Sequence, residues 1–247
     1  EEEKLFKKPE DKNKAHDNIK QILKRLAEDF RYKQSHNAIK HSMHVVPSEV
    51  DISIKDGVEE LKINTWKDSD IGTGKIIKSV INAIEVDNNN LLIHDNRHGE
   101  NSRQDKSLYQ SYNGNSLKGY ERVLFDFYTD NVTDEESFKN IVEYAGRQYP
   151  FLAYLFFLKS KKRYLPIAPT IFDKVFQSLG INLKTSKRCS WDNYIKYITS
   201  IQDIRDYLQF KREFEDEEIT LIDAHSFLWI IGAHMSDRQT KIDIKEN

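Results

Sequence analysis

Between Lys159 and Arg188 the chain carries eight cations, Lys159, Lys161, Lys162, Arg163, Lys174, Lys184, Lys187 and Arg188, against the single carboxylate of Asp173. A segment of local charge +7 in a chain of net charge −2 is a field that a polyanion would feel. The chemistry such residues can perform is phosphate binding. Lys161, Lys162 and Arg163 form one cluster. The second, Lys184-Thr185-Ser186-Lys187-Arg188-Cys189-Ser190, runs into an expected helix N-terminus capped by Ser190. Unpaired N–H groups, the positive end of the helix dipole, hydroxyls and cations together would make a phosphate cradle. The competing reading is a solvated, lysine-rich surface that balances the acidic run 213–218. Further donors lie in the polar stretch 94–116, where Asn96, Arg97 and Arg103 could reach base edges or phosphates. His94 and His98 in that stretch would meet a metal only if the loop turned back on itself.

A second constellation is carboxylic. Asp51, Glu60 and Lys62 fit the spacing D-x8-E-x-K, the set with which PD-(D/E)xK nucleases hold Mg²⁺ at a scissile phosphate while the lysine positions or activates water. All three must share one face. Val50, Ile52 and Ile54 alternate with Asp51 and Ser53, and Leu61 and Ile63 alternate with Glu60, Lys62 and Asn64, which predicts a hairpin turning at Asp56-Gly57. A two-residue turn would set Ser53 opposite Glu60 and Asp51 opposite Lys62. The same alternation also describes the polar face of any half-buried hairpin in so charged a chain.

Other templates fail on their own residues. Gly72-Thr73-Gly74-Lys75 lacks the upstream glycine of a phosphate loop and has Ile76 where a metal-binding hydroxyl belongs. His41 and His44 have no third ligand nearby, and Arg31 with His36 is a single R-x4-H match of the kind chance supplies. Asp223-Ala224-His225-Ser226 lies in an apolar helix, where buried polar groups are usually hydrogen-bonded to their neighbours, so it reads as structural. The one cysteine, Cys189, excludes an intramolecular disulfide and a thiolate zinc site.

The elements that must position these residues are mostly helical. Ala15, Ile19, Ile22, Leu23, Leu26, Ala27 and Phe30 form one stripe, and Ile76, Ile77, Val80, Ile81 and Ile84 another. Thr133 caps a helix bearing Phe138, Ile141 and Val142, and the all-apolar 151–158 reads as a central core helix. Helices follow from Thr170 to Gly180, from Ser190 to Leu208 and through Leu221 to Ile231. A short strand is expected at Leu91-Leu92-Ile93. The expected class is therefore α+β, mostly α, with a small antiparallel β-sheet near the N-terminus packed on a multi-helix body.

With 247 residues, 38% hydrophobic and 32% charged, the chain can bury a core beneath a heavily solvated surface. We expect a frayed leader over 1–12 and one compact domain over 13–247, with a possible division into an α/β part (13–115) and a helical part (116–247). The longest apolar window, 149–158, is too short to span a bilayer, and Glu1-Glu2-Glu3-Lys4 has no signal-peptide core. A cytoplasmic protein without membrane association is expected.

Three stretches carry a resemblance: Tyr164-Leu165-Pro166-Ile167-Ala168-Pro169-Thr170-Ile171-Phe172-Asp173 with Leu179-Gly180, then Cys189-Ser190-Trp191-Asp192-Asn193-Tyr194, then Leu221-Ile222-Asp223-Ala224-His225-Ser226-Phe227-Leu228-Trp229. Over about 146–230 the chain resembles a helical region of uncharacterised prokaryotic proteins associated with HNH endonucleases or restriction-type modules. The His–Asn–His metal finger of such modules is absent from this sequence. The resemblance therefore implies a DNA-related, defence-linked role of recognition or scaffolding, and leaves open whether a nuclease or other defence-system partner chain carries the catalysis. Two rivals stand beside it: a Mg²⁺-dependent nuclease built on Asp51, Glu60 and Lys62, and a protein–protein scaffold that binds no nucleic acid.

Overall fold

The computed structural model describes residues 57–86, 89, 91–92, 103–211, 219–229 and 231–232. These residues fall into two compact units. One is built from residues up to Ile167 together with Cys189–Trp191; the other holds Ala168–Arg188 and the residues from Asp192 onward.

The described residues of the first unit form, beside a short helical segment at 57–61, the helices α1 (Lys75–Ile84), α2 (Lys106–Tyr112), α3 (Leu117–Tyr128), α4 (Asp134–Ala145) and α5 (Tyr149–Lys159). Each element follows its local chemistry. In α1, Ile76, Ile77, Val80, Ala83 and Ile84 are buried, the apolar stripe at helical spacing. Thr133 caps α4 by accepting from Glu136 N at 3.2 Å, and three acidic residues occupy the first turn, where the helix dipole favours them. Every residue from Phe151 to Leu158 is buried, so α5 is the core helix the composition calls for. Aromatic packing fills the space around it. Phe156 lies 4.6 Å from Phe127, 5.5 Å from Trp191 and edge-on to Tyr164 at 5.1 Å. The hydroxyls of Tyr128 and Tyr154 are satisfied inside the apolar interior by donating to the Leu155 and Ala83 carbonyls.

The second unit is built on α6 (Pro169–Leu179), α7 (Trp191–Lys211, counted here from Asp192) and α8 (221–229). Phe172, Val175, Phe176 and Leu179 of α6 are buried, as are Tyr194, Tyr197, Ile198, Ile201 and Ile204 of α7. Phe172 meets Tyr197 edge-on at 5.1 Å and lies 4.9 Å from the buried ring of His225 on α8. Asp223 belongs to a reciprocal cap: it accepts from Thr220 N and Oγ1, and its own N–H donates to Thr220 Oγ1.

The expected antiparallel sheet does not occur among the described residues, which contain no strand. Residues 57–61 are helical and Ile63–Thr65 is a 3-10 turn. Burial explains the difference. Gly57 and Leu61 are buried four residues apart, while Val58 is 43% exposed and Ile63 only half-buried, which is the period of a helix. Gly57 serves close approach: a Cβ there would lie 3.0 Å from the Ala83 carbonyl oxygen and 3.0 Å from Leu158. Leu91 and Leu92 form a bend instead of a strand, following Asn89, whose side chain accepts from Leu91 N and donates to the Ile84 carbonyl at the end of α1. The first apolar stripe, the 1–12 leader and residues 50–54 lie outside the described residues.

Candidate phosphate-contacting surface

The turn between α6 and α7 is organised from below by Asp173. Its carboxylate accepts from Thr185 N at 2.6 Å, Thr185 Oγ1 at 2.7 Å and Ser186 N at 3.0 Å. Burial works to raise the pKa of Asp173, and the hydrogen bonds from Ser186 and Thr185 outweigh it, so the carboxyl is held below its ordinary value. Thr185 is fully buried. Two more bonds complete the turn: Arg188 N donates to the Thr185 carbonyl at 3.0 Å, and Asn193 Nδ2 donates to the Lys184 carbonyl at 3.0 Å. Lys187 adopts a left-handed backbone, φ 60°, which a side chain rarely accepts without such support. The outcome is a pinned turn with Lys184, Lys187 and Arg188 exposed on it and no salt bridge to any of them among the described residues.

The cradle expected from the sequence therefore differs in one respect. The Thr185 and Ser186 N–H groups are occupied by Asp173, so an external phosphate would meet cationic side chains instead of these amides. Ser190 is exposed at the start of α7. Cys189 is buried, and burial pushes its thiol up to about 12, which leaves it protonated and inert at neutral pH.

The other basic cluster belongs to the other unit and is partly neutralised. Lys159, only 8% exposed, lies 2.7 Å from Asp130 and 2.8 Å from Asp134, with its ammonium 4.5 Å from the centre of the Phe127 ring. Arg163 donates to Asp134 at 2.8 Å, and the Tyr164 hydroxyl donates to the same carboxylate. Asp134 is held below the usual carboxylate range because hydrogen bonds from Lys159 and Tyr164, with the charges of Lys159 and Arg163, overcome the opposing effect of burial. Lys161 and Lys162 are exposed.

Arg103 is likewise engaged. Its guanidinium donates to both oxygens of the fully buried Asp105, at 3.1 and 2.8 Å, and lies 4.4 Å over the Tyr109 ring. Tyr109 in turn donates to Glu85. Asn96 and Arg97 lie outside the described residues. Of the D-x8-E-x-K set, Glu60 and Lys62 form an exposed ion pair at 3.4 Å across the end of a helix, where Lys62 has φ 51°, and Asp51 is outside the described residues. The hairpin that would have aligned them is replaced by helix and 3-10 turn over 57–65. No group of three or more His, Cys, Asp or Glu side chains able to hold a metal occurs among the described residues.

One arrangement escaped sequence reasoning. Glu121 of α3, 0% exposed, accepts from Gly72 N at 2.6 Å, Gly74 N at 3.1 Å, Ile76 N at 2.8 Å and Ile77 N at 3.1 Å. The Gly72-Thr73-Gly74 segment does form an anion nest at a helix N-terminus, with φ of 90° and 84° at its two glycines, and the chain fills it with its own carboxylate. The signal was two glycines two residues apart before an amphipathic helix; the partner, 44 to 49 residues away, has no local mark.

Comparison of the chain with family models, curated proteins and solved structures gives no match.

Proposed function

We propose that the chain is a DNA-interacting protein that contacts phosphates through the 184–188 turn. The observation that supports this reading is the turn itself: three exposed cations on a backbone fixed by Asp173, in contrast to Lys159 and Arg163, whose charge is already met by Asp130 and Asp134. Holding a cationic turn in place before binding lowers the ordering cost of contact. Phosphate contacts of this kind fix position and give salt-dependent affinity without reading sequence. The resemblance over 146–230 directs the reading to a prokaryotic restriction or anti-phage defence system, and the reading places the chain in the cytoplasm. No helix among the described residues is long and apolar enough to cross a membrane.

The test is fluorescence anisotropy of labelled duplex DNA across a salt series, comparing wild type with the variant K184A/K187A/R188A. The expected result is affinity that falls steeply with salt, and a slope smaller by up to about three units in the variant. No binding at low salt would overturn the proposal and leave the scaffold reading. Preference for RNA of equal length would overturn the assignment to DNA.

A further inference from the structure

We infer that Asp173 is a positioning residue for DNA contact, acting through the backbone of the 184–188 turn; the inference rests on the proposed reading of that turn. By charge alone Asp173 is misplaced. It is the one carboxylate in the 159–188 segment, beside the cations proposed to meet phosphate, and a purely electrostatic account makes it a penalty for binding. Its hydrogen bonds give it the opposite role. Both carboxylate oxygens are engaged, Oδ1 by the Thr185 N–H and hydroxyl and Oδ2 by the Ser186 N–H, and the Thr185 hydroxyl also reaches the Pro169 carbonyl at 3.3 Å. These contacts tie the turn to the first residues of α6.

The left-handed residue of the turn, Lys187, follows directly on the two amides that Asp173 holds. A lysine at φ 60° is unfavourable by itself, so the turn keeps this shape because its other bonds determine it. Without Asp173, two amides lose their acceptor and the Thr185 hydroxyl keeps only the Pro169 carbonyl. Lys187 is then free to return to an ordinary backbone region, and the three cations lose their common presentation. The carboxylate thus costs attraction and supplies geometry.

The two effects have opposite signs, and that makes them separable. Asp173→Asn keeps the side-chain volume and adds one positive unit to the segment, yet turns an NH2 group toward the Ser186 N–H, where donor faces donor. If Asp173 positions the turn, this variant binds duplex DNA more weakly than wild type despite its more positive charge, and its salt slope falls by about one to three units as cations lose phosphate contact. A structural role confined to stability would leave the slope of the folded protein unchanged. Lys187→Ala, which lowers the slope by about one unit in wild type, should lower it little further in Asp173→Asn, a coupling that independent sites would not show. Thr185→Val removes one of the three hydrogen bonds without altering charge and carries the same test should Asp173→Asn fail to fold; a reduced slope is expected there too. Tighter binding by Asp173→Asn, or unaltered slopes in both Asp173→Asn and Thr185→Val beside a wild type that binds, overturns the positioning role alone. A wild type that does not bind duplex DNA removes the DNA reading itself, and the positioning role with it.

Discussion

The 72–77 loop and the 184–188 turn both gather backbone N–H groups around one side-chain carboxylate, and both surround it with lysines in the sequence. They differ in what remains outside. Glu121 takes four amides and is sealed from solvent, with no cation paired to it among the described residues. Asp173 takes two amides and a hydroxyl at a half-buried position, and leaves Lys184, Lys187 and Arg188 on the surface. The first arrangement is complete in itself and works as an internal helix cap. The second uses the same bonds to shape a surface. Amides arranged for an anion are therefore no evidence of an external one until the interior has been searched for a carboxylate that fills them.

The largest effect that would sharpen this contrast belongs to Glu121. Glu121→Ala leaves four inward-facing amides without an acceptor, and unfolding in urea should show a loss of about 3–5 kcal/mol, since each buried unpaired donor costs roughly 1–3 kcal/mol and water can relieve part of it. A loss below 1 kcal/mol would break the distinction between a closed cap and an open turn. Asp173→Ala should cost less, about 1–2 kcal/mol, because the orphaned donors lie nearer solvent.

Acid distinguishes a further group. Asp134 and Asp173 both have folded pKa values below the ordinary carboxylate value, so the stability they contribute is fully present above that value and is lost as pH falls through the lowered folded values. Urea midpoints measured on a descending pH series should fall in that acid window, and the fall should be smaller in Asp134→Asn. An equal fall in the variant would remove Asp134 from the account. The smallest effect is expected from K184A/K187A/R188A, which should stay within about 0.5 kcal/mol of wild type, because exposed cations with no salt bridge among the described residues add little to stability. That variant would then separate binding from folding.

What could be read in advance was local. Thr133 before three acids, the uninterrupted apolar run of α5 and the stripe of α6 ending at Gly180 each declare themselves within one or two helical turns, and the structure forms those helices there. The hairpin failed because its alternation near residues 60–64 was brief, and burial of Leu61 together with the close approach of Gly57 to α1 and α5 favoured a helical period. Of the candidate site residues, the exposure of Lys184, Lys187 and Arg188 followed from their charge. The engagement of Arg103 by Asp105, two residues away, was within local reach. The pairing of Arg163 and Lys159 with Asp134 was not, since those partners are 29 and 25 residues apart in the chain. The same holds for Glu121. Long-range carboxylates decided which amides and cations stayed available, and no periodicity marks them.

Amide hydrogen exchange of the wild-type protein tests the central claim most directly, because it reports whether internal carboxylates hold these two sets of N–H groups in solution. First-turn and loop amides ordinarily exchange quickly, having no partner within their own helix. The account predicts that Gly72, Gly74, Ile76 and Ile77 are protected to the level of global unfolding, and that Thr185 and Ser186 show clear but lesser protection. Fast exchange at all six would contradict it.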